Sequence, residues 1–137
     1  MATGQSKVKA TFTRPAKRDL SNYQYYPVQI DTDGLIDYAS TAGGATVIGI
    51  LQNKPKEGAE AEVAILGTSL LKVNAVSPTI DEGHFIGSEN TNYRGVRVSL
   101  DKARYFAIAL EPSIAANDLI EVLLVGGTKF IALTPPG

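Results

Sequence analysis

His84, in the run DEGHFIG, is the one imidazole in the chain and so its one ordinary proton shuttle near neutral pH. A Ser-His-Asp mechanism would need that ring as the base beside an exposed serine, and no G-x-S-x-G elbow supplies one. A zinc site would have to be built from this single histidine and carboxylates, because the chain has no cysteine. The same absence excludes disulfides, thiolate ligands and cysteine nucleophiles. Asp31, Asp33 and Asp37 lie close together in DTDGLID and offer the oxygens that calcium prefers. The twelve-residue EF-hand loop ends on glutamate, however, and counting Asp31 as its first position puts Ala42 there. Asp-Gly is also the common dipeptide of hairpin turns, and that reading is preferred. AGGATVIG is glycine-rich but lacks the order of a phosphate loop, and it precedes a strand pattern where a helix would be needed. No spacing among the acids selects a carboxylate pair for glycoside hydrolysis. NTNYRG and the Tyr23, Tyr25, Tyr26 cluster could stack on bases, but tyrosines on an edge strand more often pack between protein surfaces. No catalytic, metal or cofactor residue is assigned, and the chain is expected not to be an enzyme.

What the sequence does offer is a charge asymmetry. Residues 1–30 carry five cations, Lys7, Lys9, Arg14, Lys17 and Arg18, against Asp19, a net +4. Residues 31–137 carry eight cations against thirteen carboxylates, a net −5. The chain reads as a basic arm, residues 1–27, on an acidic body, the arm being either a solvated, poorly ordered terminus or a segment that orders only on an acidic neighbour. The arm has no interleaved aromatics of the nucleic-acid kind, so no nucleic-acid partner is expected. No apolar stretch reaches the roughly 18–20 residues of a membrane helix, so no membrane partner is expected either.

The elements that must present these residues are strands. YQYYPVQI (23–30), ATVIGIL (45–51), AEVAILG (61–67), SLLKVNAV (69–76), HFIG (84–87), GVRVSL (95–100), RYFAIAL (104–110), LIEVLLVG (119–126) and TKFIAL (128–133) are β-branched, aromatic or alternating. Clusters of Gly, Pro, Asn and Asp separate them. An apolar content of 44% and no disulfides place the chain among ordinary globular domains. The pattern predicts an all-β fold, a small β-barrel or sandwich of about eight short strands over residues 28–133, with one helical turn at most over 112–118. The arm precedes it, and TPPG (134–137) forms a tail.

A shift of 59 positions lays VIGILQ (47–52) on FAIALE (106–111) and, with no gap, EVAILG (62–67) on EVLLVG (121–126). Leu51/Leu110, Glu62/Glu121, Val63/Val122 and Gly67/Gly126 are identical. This favours an internal duplication of a hairpin unit over chance likeness between hairpins.

ATVIGILQNKPKEGAEAEVAILG (45–67) and DEGHFIGSENTNYRGVRVS…ARYFAIALEPSIAANDLIEVLLVG (81–126) resemble the framework segments of small tailed-bacteriophage head-decoration proteins, the capsid cement family. The likeness covers about two thirds of the chain and departs from the family at residues 1–27, which are longer and more basic. It implies a structural virion protein, commonly a homotrimer, bound to the major capsid protein on the outer face of an expanded capsid and stabilising its seams. In that setting Lys7, Lys9, Arg14, Lys17, Arg18, Tyr23, Tyr25 and Tyr26 are the residues expected to grip the shell or a neighbouring copy. A carbohydrate- or surface-binding β module, or another virion component of tail or fibre, is the alternative.

Overall fold

The computed structural model describes residues 7–40, 46–89, 91–99 and 103–132. The described chain is all-β. Its nine strands are β1 (Val8–Pro15), β2 (Pro27–Ile30), β3 (Ile36–Tyr38), β4 (Gly49–Leu51), β5 (Glu60–Asn74), β6 (Phe85–Ser88), β7 (Gly95–Arg97), β8 (Arg104–Ala109) and β9 (Ala116–Phe130). The helical turn expected over 112–118 is absent. Ser113 bridges Ile80 there, and β9 begins at Ala116.

All nine strands form one connected sheet that curls into two circuits sharing β5. The first circuit runs from β1 to the leading half of β5, then to β4, β2 and β3, and a parallel bridge between Ala16 and Ile36 closes it. The second runs from the trailing half of β5 through β9, β8, β6 and β7, and a parallel contact between Val73 and Gly95 closes it. Closing a sheet on itself removes the edges at which strange strands could pair.

Each circuit has its own core. Leu20, Val28, Ile36, Leu51, Ala61 and Val63 fill the first, with Phe12 and Tyr23 packed against them. Leu71, Val73, Ile86, Phe106, Ile120 and Val122 fill the second, which also takes in Ile50 and Ala64. Leu51 and Val63 are paired, and so are their neighbours Ile50 and Ala64. Successive side chains point to opposite faces of a strand. One pair therefore enters each core, which is why Ile50 and Leu51 on one strand, and Val63 and Ala64 on the other, are adjacent apolar residues with no solvent face to alternate towards.

The strands 61–67 and 69–76 read from the sequence are one fifteen-residue strand, as are 119–126 and 128–133. The intervening glycines bend the strands without ending them. Gly67 has φ +96°, and a Cβ there would lie 2.3 Å from the carbonyl oxygen of Lys7. Only a residue without a side chain lets β1 approach β5 so closely.

The 59-residue repeat falls on two antiparallel hairpins, β4–β5 and β8–β9, and its matched glycines, Gly67 and Gly126, both have positive φ. The registers differ by one residue: Leu51 faces Val63, whereas Val122, the counterpart of Val63, faces Ala109 instead of Leu110.

From residue 7 onwards the basic segment belongs to the sheet. β1 pairs with β5 from Val8 opposite Gly67 to Pro15 opposite Glu60, and Ala16 and Leu20 are buried. An arm ordered only by a partner is therefore not what residues 7–27 form, because Val8, Ala10 and Phe12 supply an inward face that covers the edge of β5. Residues 1–6 of the arm and the 134–137 tail lie outside the described residues. No described helix is long and apolar enough to cross a membrane.

Candidate functional site

The eight residues singled out in the sequence separate into three groups. Lys7, Lys9 and Arg14 are exposed along β1, with Lys9 and Arg14 on the strand and Lys7 just ahead of it. Lys17 and Arg18 turn back on the body. Lys17 Nζ lies 2.9 Å from Asp31 Oδ2, and Arg18 makes a two-pronged contact with Asp37, donating from Nε at 2.7 Å and from Nη2 at 2.9 Å. The Asp31 contact raises the Lys17 pKa and lowers that of Asp31, and the Asp37 contact raises that of Arg18. Asp31 also caps its own turn, accepting from the amides of Asp33 and Leu35. The DTDG segment is thus a hydrogen-bonded turn, as its Asp-Gly pair indicated, and among the described residues no cluster of three or more His, Cys, Asp or Glu could hold a metal. His84 is a turn residue whose Nδ1 accepts from the Asp81 amide.

The tyrosines form the third group. Tyr23–Tyr26 precede β2 in a turn, and the expected strand over 23–30 begins only at Pro27. Tyr25 is the reason: its φ is +68°, which breaks the extended run. Its amide donates to Leu51 and its carbonyl accepts from Lys72, so the turn is tied to both β4 and β5. Tyr25 packs against the second core and Tyr23 against the first.

Tyr23 and Tyr26 meet edge to face at 4.9 Å, and Tyr23 lies 5.2 Å from Tyr38 on β3. Tyr38 stacks on Tyr93 with ring centres 4.0 Å apart and planes 16° from parallel, while the Arg18 guanidinium lies over the Tyr38 ring, 4.7 Å from its centre. Burial raises the pKa of Tyr26, and burial together with a hydrogen bond to Tyr93 raises that of Tyr38. Both phenols therefore stay protonated at neutral pH.

Tyr93 comes from NTNYRG, the connection between β6 and β7. The fold thus brings together the two aromatic segments noted in the sequence, and between them opens a cleft of about 360 Å³. Asn22, Tyr23, Tyr26, Asn92, Tyr93, Arg94 and Asn117 line it. Arg94, only 8% exposed, forms its floor. Its Nε donates to Glu89, its Nη1 donates to Asn117 Oδ1 at 2.9 Å, and Asn74 donates to the other oxygen of Glu89 at 3.3 Å. Four non-glycine residues among those described have positive φ: Tyr25, Asn92, Tyr93 and Asn117. Three of them line this cleft. Left-handed backbone is tolerable for Asn but strained for Tyr, and such strain persists where the surroundings enforce it.

Asparagine amides, tyrosine phenols and a guanidinium line the cleft, groups that hydrogen-bond in both directions or donate. Asn117 and Tyr38 drew no notice in the sequence. Asn117 is the second residue of β9, and only its position opposite Arg94 gives it meaning. No protein-family model matches the chain, and no curated protein matches it.

Proposed function

We propose that the protein is a structural virion component of the head-decoration type, which binds the outer face of an expanded phage capsid and cements seams between major capsid proteins. The observation that carries the reading is where the two resembling segments fall: residues 45–67 span β4 and the leading part of β5, and residues 81–126 span β6 to β9. The likeness is therefore one of framework, including both hairpins and the shared strand, and implies a role performed by shape and adhesion.

Two surfaces support it. One is the basic strand β1, whose Lys7, Lys9 and Arg14 are exposed on a fixed backbone. Cations carried on an already paired backbone suit an acidic shell surface and lose no backbone ordering entropy on docking. The other is the outer face of the second circuit. Phe85, Ile108, Leu123 and Thr68 lie in register across β6, β8, β9 and β5, and Leu66 and Val125 form the next row. Leu66 is 47% exposed and Leu123 40%. An apolar row of this kind fits a second copy of the chain, and association into a trimer would bury it while multiplying shell contacts.

The test mixes the purified protein with undecorated expanded capsids. Saturable binding and a raised capsid melting temperature are expected. Replacing Lys7, Lys9 and Arg14 together by Glu should abolish occupancy at physiological salt and leave the fold intact, because all three are exposed. Deleting residues 1–22 would be a poor substitute, since it removes β1 and Leu20 from the sheet and core. Failure of the unmodified protein to bind any shell would overturn the reading.

A further inference from the structure

We propose that the cleft between the Tyr23–Tyr26 turn and the β6–β7 connection binds a neutral carbohydrate, one pyranose ring lying against tyrosine and held by asparagine amides. This site is separate from the basic strand and the apolar row, so it stands or falls independently of shell binding.

Three features of the lining select the ligand. The first is its hydrogen-bonding character. Asn22, Asn92 and Asn117 each carry a donor and an acceptor group, and the tyrosine hydroxyls do both. Sugar hydroxyls, which also donate and accept, are matched by such groups. Asn117 has its Oδ1 engaged by Arg94, which fixes the amide and leaves its NH2 to donate to a ligand. The second is charge. Among the described residues Arg94 is the one cation lining the cleft, and its partner Glu89 answers that charge directly. An anionic ligand therefore meets no unneutralised cation here, and an apolar one would leave the exposed amides of Asn22, Asn92 and Asn117 unused. The third is shape. Tyr23, Tyr26 and Tyr93 provide flat apolar walls with polar tips, suited to the C–H face of a sugar ring. The volume of about 360 Å³ lies within the range of small-molecule sites.

The site is also braced by its own hydrogen bonds. The Glu89 amide donates to the Arg94 carbonyl, the Arg94 amide donates back to the Glu89 carboxylate, and the Tyr93 amide donates to Thr91, so the β6–β7 connection is cross-braced. These bonds hold the left-handed backbone at Asn92 and Tyr93, and the Arg94 contact holds Asn117. Preorganised strain of this kind lowers the cost of ordering on binding.

The experiment is a titration of the ¹⁵N-labelled full chain with the methyl glycosides of glucose, galactose, mannose and N-acetylglucosamine, and with the methyl glycoside of galacturonic acid, its carboxylate free, as the charged control. At least one neutral glycoside at millimolar concentration should shift the amide resonances of Asn92, Tyr93, Arg94 and Asn117. Asn92→Gly is the informative variant, because glycine accepts the left-handed φ without cost and the fold is kept while the amide is lost. It should weaken binding about tenfold, the worth of one well-made hydrogen bond. Asn22→Ala, at an exposed loop position, should act in the same direction. Unmoved resonances with all four neutral sugars, undiminished binding in both variants, or a preference for the uronate would each overturn the proposal.

Discussion

The two circuits are closed by the same device and secured by opposite chemistry. Each ends in a single parallel bridge, Ala16 with Ile36 in the first and Val73 with Gly95 in the second. Around the first bridge stand ion pairs, Lys17 with Asp31 and Arg18 with Asp37, whose cations reach solvent. Around the second stands packed hydrocarbon: a Cβ on Gly95 would lie 2.7 Å from Leu71 Cδ2 and 3.0 Å from Ile86 Cγ2. A sheet that curls shut must bring two strands together without the long antiparallel ladder available elsewhere. Charge can hold that junction from outside, or close packing can hold it from within. The lesson is that the first junction should respond to pH and salt, and the second to volume.

The largest expected effect tests whether the circuits are separable at all. Phe106 is 2% exposed in the second core, and Phe106→Ala should cost about 3–5 kcal/mol. Because β5 runs through both circuits and Ile50 and Ala64 of the first enter the second core, the molecule should still melt in one transition. Amide exchange at Val28 and Ile36, far from the substitution in the first circuit, should quicken along with that at Ile120. Continued protection of the first circuit alone would show two independent units and undo the picture of a shared strand.

A smaller pair of effects compares the junctions directly. Gly95→Val forces a branched side chain against Leu71 and Ile86 and should cost about 1–3 kcal/mol by overpacking. Arg18→Ala leaves Asp37, whose side chain is 8% exposed, without its two-pronged partner. Since Arg18 itself is 45% exposed and screened by water, the loss should be about 1 kcal/mol. Denaturant midpoints measured at low and high salt separate the mechanisms. Raising salt should narrow the gap between Arg18→Ala and the parent and leave that for Gly95→Val unchanged.

The same contrast explains what could be read in the sequence. The second circuit was legible because it is apolar: GVRVSL, RYFAIAL and LIEVLLVG announce β7, β8 and β9 by composition alone. The first was obscured because its junction is polar. VKATFT alternates apolar with polar residues as a half-buried strand should, yet Lys7, Lys9 and Arg14 drew it into a basic arm and hid β1. Three residues, IDY, are too few to show β3 by any pattern, and only the pairing of Val28 with Tyr38 creates it. The tyrosine run looked like a strand because aromatics favour strands, but the left-handed Tyr25 turns it into a wall of the cleft. Gly67 and Gly126 read as turns because local sequence does not distinguish a glycine that ends a strand from one that bends it. The cleft itself joins residues 22–26, 92–94 and 117, and both aromatic segments were visible while their meeting was not.

The smallest effect is the most selective for the first junction. Asp31 titrates below its ordinary value of 3.8, chiefly through the hydrogen bond from Lys17 and then through the Leu35 amide, and Lys17 titrates above 10.5 through the same contact. For a carboxylate depressed in the folded state, the contribution is fully present above the unfolded value and disappears as pH falls through the folded one. For a lysine raised in the folded state, it is present below the unfolded value and disappears as pH rises through the folded one. The pair should therefore hold across the neutral range and fail at both extremes. In Lys17→Met the Asp31 midpoint, followed by carboxyl NMR, should move back towards 3.8 without reaching it, because the Asp33 and Leu35 amides still favour the charged form. The Lys17 amide donates to Ile36 at 2.8 Å across the bridge, so its resonance should follow the Asp31 titration in the parent and cease to do so in the variant. An Asp31 midpoint that Lys17→Met leaves in place would show that the turn amides alone hold the carboxylate, and that this ion pair does not secure the junction between β1 and β3.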